Sequence, residues 1–195
     1  MKNILRKIFP LKILIHLLIL RPFVKLLFGI NIYGKENLEG LKNFILISNH
    51  NSHLDLLLLF YCLPVSHITI THALAAEEYF SKSKILFFFV NYLFNPVWVS
   101  RGDAKKSRKT ADEMKNILDK GHNIIMFPEG TRGTAGVIQP FKTGIGRLTV
   151  EYHNTPVVPV YLFGPERALP KTYFLPVPIW MNVIVAPPQT FIWLQ

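Results

Sequence analysis

The chain has 195 residues, 50% of them hydrophobic and only 17% charged, with a mean hydropathy of +0.27. That composition excludes a disordered tail and is long enough for one domain with its own core. The single cysteine, Cys62, excludes an internal disulfide framework or a cysteine-built zinc site, and 22 Lys and Arg against 12 acids point to anionic partners.

The basic excess lies at the start. Residues 1–35 hold seven cations (Lys2, Arg6, Lys7, Lys12, Arg21, Lys25 and Lys35) and no acid, leaving 15 cations against 12 acids in residues 36–195. Ile, Leu, Phe and Val separate these cations, which suits an anionic lipid surface and argues against nucleic acid. The apolar run Ile13–Leu20 is eight residues long, far short of the ~20 that cross a bilayer. A signal-peptide core can be that short, but no small-residue cleavage site follows, and Arg21, Pro22 and Lys25 interrupt the chain. Residues 1–30 therefore read as a two-part, membrane-associating helical segment, divided at Pro22 and lying in or dipping into one leaflet. A core helix and a single tilted span are the alternatives.

From residue 31 to 195 the chain reads as one α/β domain. Asn43–Ser48 is a buried strand, Ser52–Leu63 a helix ended by Pro64, and His67–Leu74 a second strand rich in β-branched residues. Lys84–Leu93 reads as a helix and Pro96–Ser100 as a short strand. Lys105–Lys120 is a helix closed by Gly121, and Asn123–Phe127 is a strand leading into a glycine-bearing loop. Gly144–Tyr152 is helical, while Pro156–Phe163 and Trp180–Ala186 are strands. Six of the 14 prolines fall in residues 165–188, which favours turns there. This alternation predicts a single domain with a central mixed β-sheet flanked by helices and functional loops at strand ends.

Four blocks carry chemistry. The first, Ser48 to Asp55, runs from a strand end into a helix and contains His50, His53 and Asp55. Asp55 can hold one ring nitrogen of His50 and leave the other to accept a proton, an arrangement that activates a hydroxyl. Ser52 with Asp55 also fits a helix-capping box, and the two histidines with Asp55 could ligate a metal. The second block, Phe127 to Gly133, leaves another strand. Gly130 and Gly133 permit close backbone approach, and Arg132 offers a fork matched to phosphate; a polar turn with a Glu129–Arg132 surface pair is the plain alternative. Val157–Val160 carries a proline inside a strand, as an edge strand also would. Arg101 follows the short strand ending in Val99 and Ser100.

Taken in order, these blocks resemble those of the glycerolipid acyltransferase family, most closely its lysophosphatidic acid acyltransferases. Asn49, His50 and Asp55 match the family's catalytic block, and Phe127–Arg132 matches its Phe-Pro-Glu-Gly-Thr-Arg block. Arg101 matches the intervening arginine block, Val157–Val160 the late Val-Pro-Val block, and Phe141–Gly144 the Phe-Lys-x-Gly segment. The resemblance covers roughly residues 31–186. It implies transfer of an acyl group from an acyl thioester, carried on coenzyme A or acyl carrier protein, to the free sn-2 hydroxyl of lysophosphatidic acid. His50 would be the base and Asp55 its orienting partner. Arg132, Arg101 and Lys142 would hold the acceptor phosphate. Glu129 would position Arg132 or bond the glycerol, with Gly130 and Thr131 completing the binding loop. No cofactor or metal is implied, and the expected location is the cytoplasmic face of a membrane.

The chain departs from the family pattern in three places. Gly133 stands where many members have serine, Ala75-Ala76-Glu77 replaces a region often bearing lysine, and the sequence stops at Gln195 where relatives often continue. Rival readings are an acyltransferase for another lysophospholipid or an aminolipid, a peripheral membrane-binding protein with a decayed site, and a metallohydrolase.

Overall fold

The short apolar runs of the sequence pair into one sheet. The computed structural model describes residues 11–80, 83–99, 104–134, 136–169 and 175–191. Seven strands, β1 (Gly29–Tyr33), β2 (Ile45–Ser48), β3 (Thr71–Ala76), β4 (Val97–Val99), β5 (Asn123–Met126), β6 (Val157–Phe163) and β7 (Trp180–Val185), form a mixed sheet in the order β1-β7-β6-β2-β5-β3-β4. The β6–β7 pair is antiparallel and every other pair is parallel. Register sets Leu46 of β2 between Val158 of β6 and Ile125 of β5. All four residues of β5 are buried, as expected for a parallel strand covered on both faces.

Each face has its own apolar layer. On the first, α1 (Arg21–Leu27) contributes Val24 and α2 (Asp55–Cys62) contributes Leu58, Leu59 and Phe60, packed over Leu46, Ile125 and Val160. After α3 (Glu77–Phe80) and α4 (Lys84–Phe94), the second face is covered by α5 (Ala104–Asp119). Met114, Ile117 and Leu118 of α5, with Leu148 of α6 (Gly144–Glu151), pack on Ile45, Ile124 and Val157. A short α7 (Pro165–Ala168) follows β6. Because β2 to β6 run parallel, the loops leaving β2, β5 and β6 gather at one end of the sheet, where ligands of open α/β sheets bind.

The N-terminal segment differs from its predicted form. The described part is helical from residue 11 through Leu27, with no break at Pro22. Proline occupies the first turn of α1, and the chain ahead of it widens into a π-type stretch, His16–Leu20, closed by the Arg21 N–H donating to the His16 carbonyl. Widening shifts the partner by one residue, so the proline's missing N–H and ring are accommodated. One side of the segment is buried on the domain through His16, Val24 and Phe28, while Leu18, Phe23 and Leu26 are exposed. Among the described residues no helix is long and apolar enough to cross a membrane. The predicted helical segment also ends early, because residues 29–33 form edge strand β1 against β7.

The second predicted strand moves as well. His67 lies in a 3-10 turn, Val65–His67, and β3 begins at Thr71. Buried Asn123 explains the shift: its amide donates to His67 Nδ1 and to Thr71 Oγ1, both at 2.9 Å, while its oxygen accepts from the Phe44 N–H. A turn is thereby tied to two strands across the sheet end, which outweighs the β-branched run at residues 68–71.

Several histidines are held neutral by this packing. Burial lowers His16 and His72 from 6.5 to about 4, and lowers His67 and His122 in the same direction. His16 bonds the Leu93 carbonyl at 3.1 Å, and His72 stacks on His122. The unfolded chain takes up protons near pH 6.5 that the folded chain refuses until lower pH. Stability is therefore expected to fall as pH drops from 6.5 toward 4. Calorimetric melting at pH 7, 6 and 5 measures this, and a melting temperature flat across that window would mean the rings are hydrated.

Candidate active site

The loop from β2 into α2 is drawn in by one carboxylate. Asp55, the first residue of α2, is fully buried, and its Oδ2 accepts three N–H groups. These are His50 Nδ1 at 2.8 Å and the backbones of Asn51 at 2.7 Å and Ser52 at 2.8 Å. Ser52 Oγ in turn accepts from the Leu54 N–H and donates to the Leu169 carbonyl. The capping contacts and the histidine contact predicted as alternatives thus coexist in the same side chain. Asp55 satisfies the otherwise orphaned donors ahead of the helix and also fixes the imidazole.

With Nδ1 donating to Asp55, His50 presents Nε2 as its proton acceptor. Its ring stacks on Phe127 at 4.0 Å between centroids, with 17° between planes, so the plane of the base is set by an aromatic wall. The His50 side chain keeps 23% of its surface exposed against 1% for Asp55: the imidazole is reachable and the carboxylate is not. Cys62, at the far end of α2, is no rival nucleophile, since burial pushes its thiol up to about 12.

The loop after β5 closes on the same histidine. Glu129 is buried; its Oε1 accepts the His50 N–H at 3.0 Å and its Oε2 accepts the Gln139 N–H at 3.0 Å. The Gly133 N–H donates to the His50 carbonyl at 2.8 Å, so both backbone groups of His50 are held by this loop. Both Glu129 oxygens thus bond main-chain N–H groups, where the predicted partners were Arg132 or glycerol. Gly133 suits this closeness: a Cβ there would stand 3.1 Å from Glu129 Oε2 and 3.2 Å from Asn51 Oδ1. Gly130 turns the chain at φ +73°, and the Lys142 N–H donates to the Pro128 carbonyl, which brings the Lys142 stem against Gly130.

Arg132 is half-buried, with Nη1 within 2.7 Å of both ring nitrogens of His53. His53 therefore packs against the guanidinium, and among the described residues no three His, Cys, Asp or Glu side chains are placed to share a metal ion. Thr131 is exposed beside Arg132. Arg101 lies outside the described residues.

Asn49 is the residue whose structural role sequence reasoning missed. Its amide donates to the Leu162 carbonyl at 2.9 Å and its oxygen accepts the Leu162 N–H at 2.8 Å. A side chain thus pairs with the β6 backbone as a strand would, one residue before the base. Phe127, Asn51 and Gln139 also act on the site through contacts without a local signature.

The arrangement sets an imidazole on a buried orienting carboxylate, next to a glycine-bearing loop with a guanidinium. It is suited to deprotonating a hydroxyl on a phosphate-bearing molecule. A family model described as Acyltransferase matches residues 29–163. A 1-acyl-sn-glycerol-3-phosphate acyltransferase of Limnanthes douglasii is 30% identical over 163 residues, covering 82% of this chain and 54% of that protein. One from Cocos nucifera is 29% identical over 132 residues, covering 65% and 39%. The crystal structure of the 1-acyl-sn-glycerophosphate (LPA) acyltransferase PlsC from Thermotoga maritima superposes with a TM-score of 0.69 at 26% identity, covering 97% of this chain and 70% of that one. The chain spans about half the length of the curated relatives it matches.

Proposed function

The chain belongs to the acyltransferase family, and on that premise we propose that it transfers an acyl group from an acyl thioester to the sn-2 hydroxyl of lysophosphatidic acid, giving phosphatidic acid. The observation that carries this reading is the His50–Asp55 pair, held at a strand end by the same loop that bears Arg132. His50 Nε2 takes the hydroxyl proton as the acceptor oxygen attacks the thioester carbonyl. The tetrahedral intermediate collapses, the carbon–sulfur bond breaks, and the departing thiolate takes the proton from the imidazolium. Asp55 stabilises that imidazolium while it exists. A thiolate leaves readily, so this route asks for no metal or cofactor. The donor is acyl-CoA or acyl carrier protein. The helical stretch ending at Leu27, with its exposed Leu18, Phe23 and Leu26 and the basic chain ahead of it, supports attachment to an anionic membrane surface on the cytoplasmic side.

Arg132 is the acceptor's phosphate ligand in this reading, releasing His53 as the phosphate enters, with Arg101 and Lys142 adding charge. Arg132→Ala is expected to raise the Michaelis constant for lysophosphatidate about ten- to hundredfold, the scale of one lost charged hydrogen-bond partner. Arg132→Lys recovers part of this, because lysine keeps the charge without the fork. The donor constant stays nearly unchanged; a loss confined to the donor would assign Arg132 to the thioester. The function itself is tested by product analysis with purified protein, lysophosphatidate, larger-headgroup lysolipids and an aminolipid, each with both donor types. Phosphatidic acid as the main product is the expected result, and preferential acylation of another acceptor overturns it.

A further inference from the structure

A cluster of cations stands at the opposite end of α2 from His50. Arg21 of α1 donates through Nη2 to the carbonyl of Leu63, the residue that follows α2, at 2.5 Å. The eight residues of α2 put about 12 Å of helix between this point and Asp55. Beside Arg21 opens a cleft of about 320 Å³ between α1 and β1. Its lining combines three cations, Arg21, Lys25 and Lys35, with apolar Leu17, Pro22 and Ile32 and with Tyr61 of α2.

Four observations make this a site. None of the seven lining residues is acidic, and among the described residues none of the three cations forms an ion pair with a carboxylate. Arg21 Nε is buried without a hydrogen-bond partner, a donor held out of water. Lys35 is not on a wandering loop. It follows Gly34, whose φ of +71° lets the chain turn where a Cβ would strike the Val185 carbonyl, and Asn37 Nδ2 anchors the turn to that same carbonyl at 2.9 Å. Finally, α1 also bears exposed Phe23 and Leu26, so a group entering the cleft would do so next to an apolar helix surface.

We propose that this cleft binds the phosphate of one anionic membrane phospholipid, at a site separate from the catalytic centre. Three cations supply the charge complement, and the apolar lining covers the glycerol backbone and first methylenes that a lipid carries and free phosphate lacks. The protein would then be seated on the bilayer by a stoichiometric headgroup contact as well as by a diffuse basic stretch. This goes beyond the reading of the reaction, since neither Lys25 nor Lys35 enters the chemistry at His50.

The test uses dihexanoyl phosphatidylglycerol below its micelle concentration, titrated calorimetrically into the full chain. Inorganic phosphate and dihexanoyl phosphatidylcholine form the comparison arms. The expected result is saturable one-to-one binding of the anionic lipid and much weaker binding of the other two. Lys25 and Lys35 are exposed, so the double variant Lys25→Ala/Lys35→Ala should fold. It should weaken binding on the order of 25-fold, from roughly fivefold per cation near a lipid phosphate. Lys2→Ala/Lys7→Ala removes the same charge elsewhere in the basic stretch, and Arg132→Ala empties the catalytic-end phosphate ligand; both should retain the one-to-one event. Equal weakening in the two lysine pairs, loss in Arg132→Ala, or no saturable binding overturns the site. Inorganic phosphate binding as tightly as the lipid overturns the lipid assignment. Product formation by the unaltered protein tests the acyl-transfer reading, so the two can fail independently.

Discussion

Replacing His50 with alanine is expected to lower turnover about 100- to 10,000-fold, the range a positioned general base contributes, with fold and vesicle binding intact. The ring is stacked on Phe127 but only partly buried, and its backbone contacts to Glu129 and Gly133 do not depend on the side chain. Asp55→Asn should cost less. Asparagine's oxygen can still accept the Asn51 and Ser52 N–H groups, but the negative charge that stabilises the imidazolium is gone. His53→Ala should be milder again, because that ring faces Arg132. Steady-state turnover at saturating donor and acceptor, with a melting curve for each variant, checks the series. Equal collapse of the His50 and His53 variants, reversed by added zinc, would replace the general-base reading with a metal site.

Asn49→Ala is expected to give the largest loss of stability among the site residues. Its side chain satisfies both the N–H and the carbonyl of Leu162, a residue buried to within 1% of its surface. Alanine leaves two buried backbone groups unpaired at about 1–3 kcal/mol each, so the loss should be roughly 2–6 kcal/mol. That is a large share of the ~5–15 kcal/mol that holds a domain folded. At about 2–4 °C per kcal/mol for a domain of this size, the melting temperature should fall by roughly 4–24 °C. Turnover should drop too, since the end of β2 carries His50. Urea unfolding followed by tryptophan fluorescence measures the loss. An unchanged midpoint would show that water replaces the amide.

How much of this was readable along the chain follows sequence distance. His50 and Asp55 are five residues apart, so one turn of backbone brings them together and the spacing predicted their contact. The Phe127–Arg132 loop was recognisable because glycine, glutamate and arginine sit side by side after an apolar run. What Glu129 does was not, since its oxygens reach His50, 79 residues away, and Gln139, 10 residues on. The Asn49 grip on Leu162 spans 113 residues and has no local sign. Strand β1 was missed for the same reason. Gly29–Tyr33 is a weak strand alone and becomes one by pairing with β7, about 150 residues later.

The sequence by itself determined most of the elements, the basic N-terminus, the His50–Asp55 pairing and the loop that carries Arg132, because each depends on neighbours within a turn or a strand. Only the tertiary structure decided the strand order, the antiparallel pairing of β6 with β7, the burial of Glu129 and the placement of Lys35 beside Arg21 and Lys25. Those depend on which distant backbone groups find hydrogen-bond partners once the core closes. Burial makes an unpaired donor or acceptor costly, so the fold selects the long-range partners that local pattern leaves open.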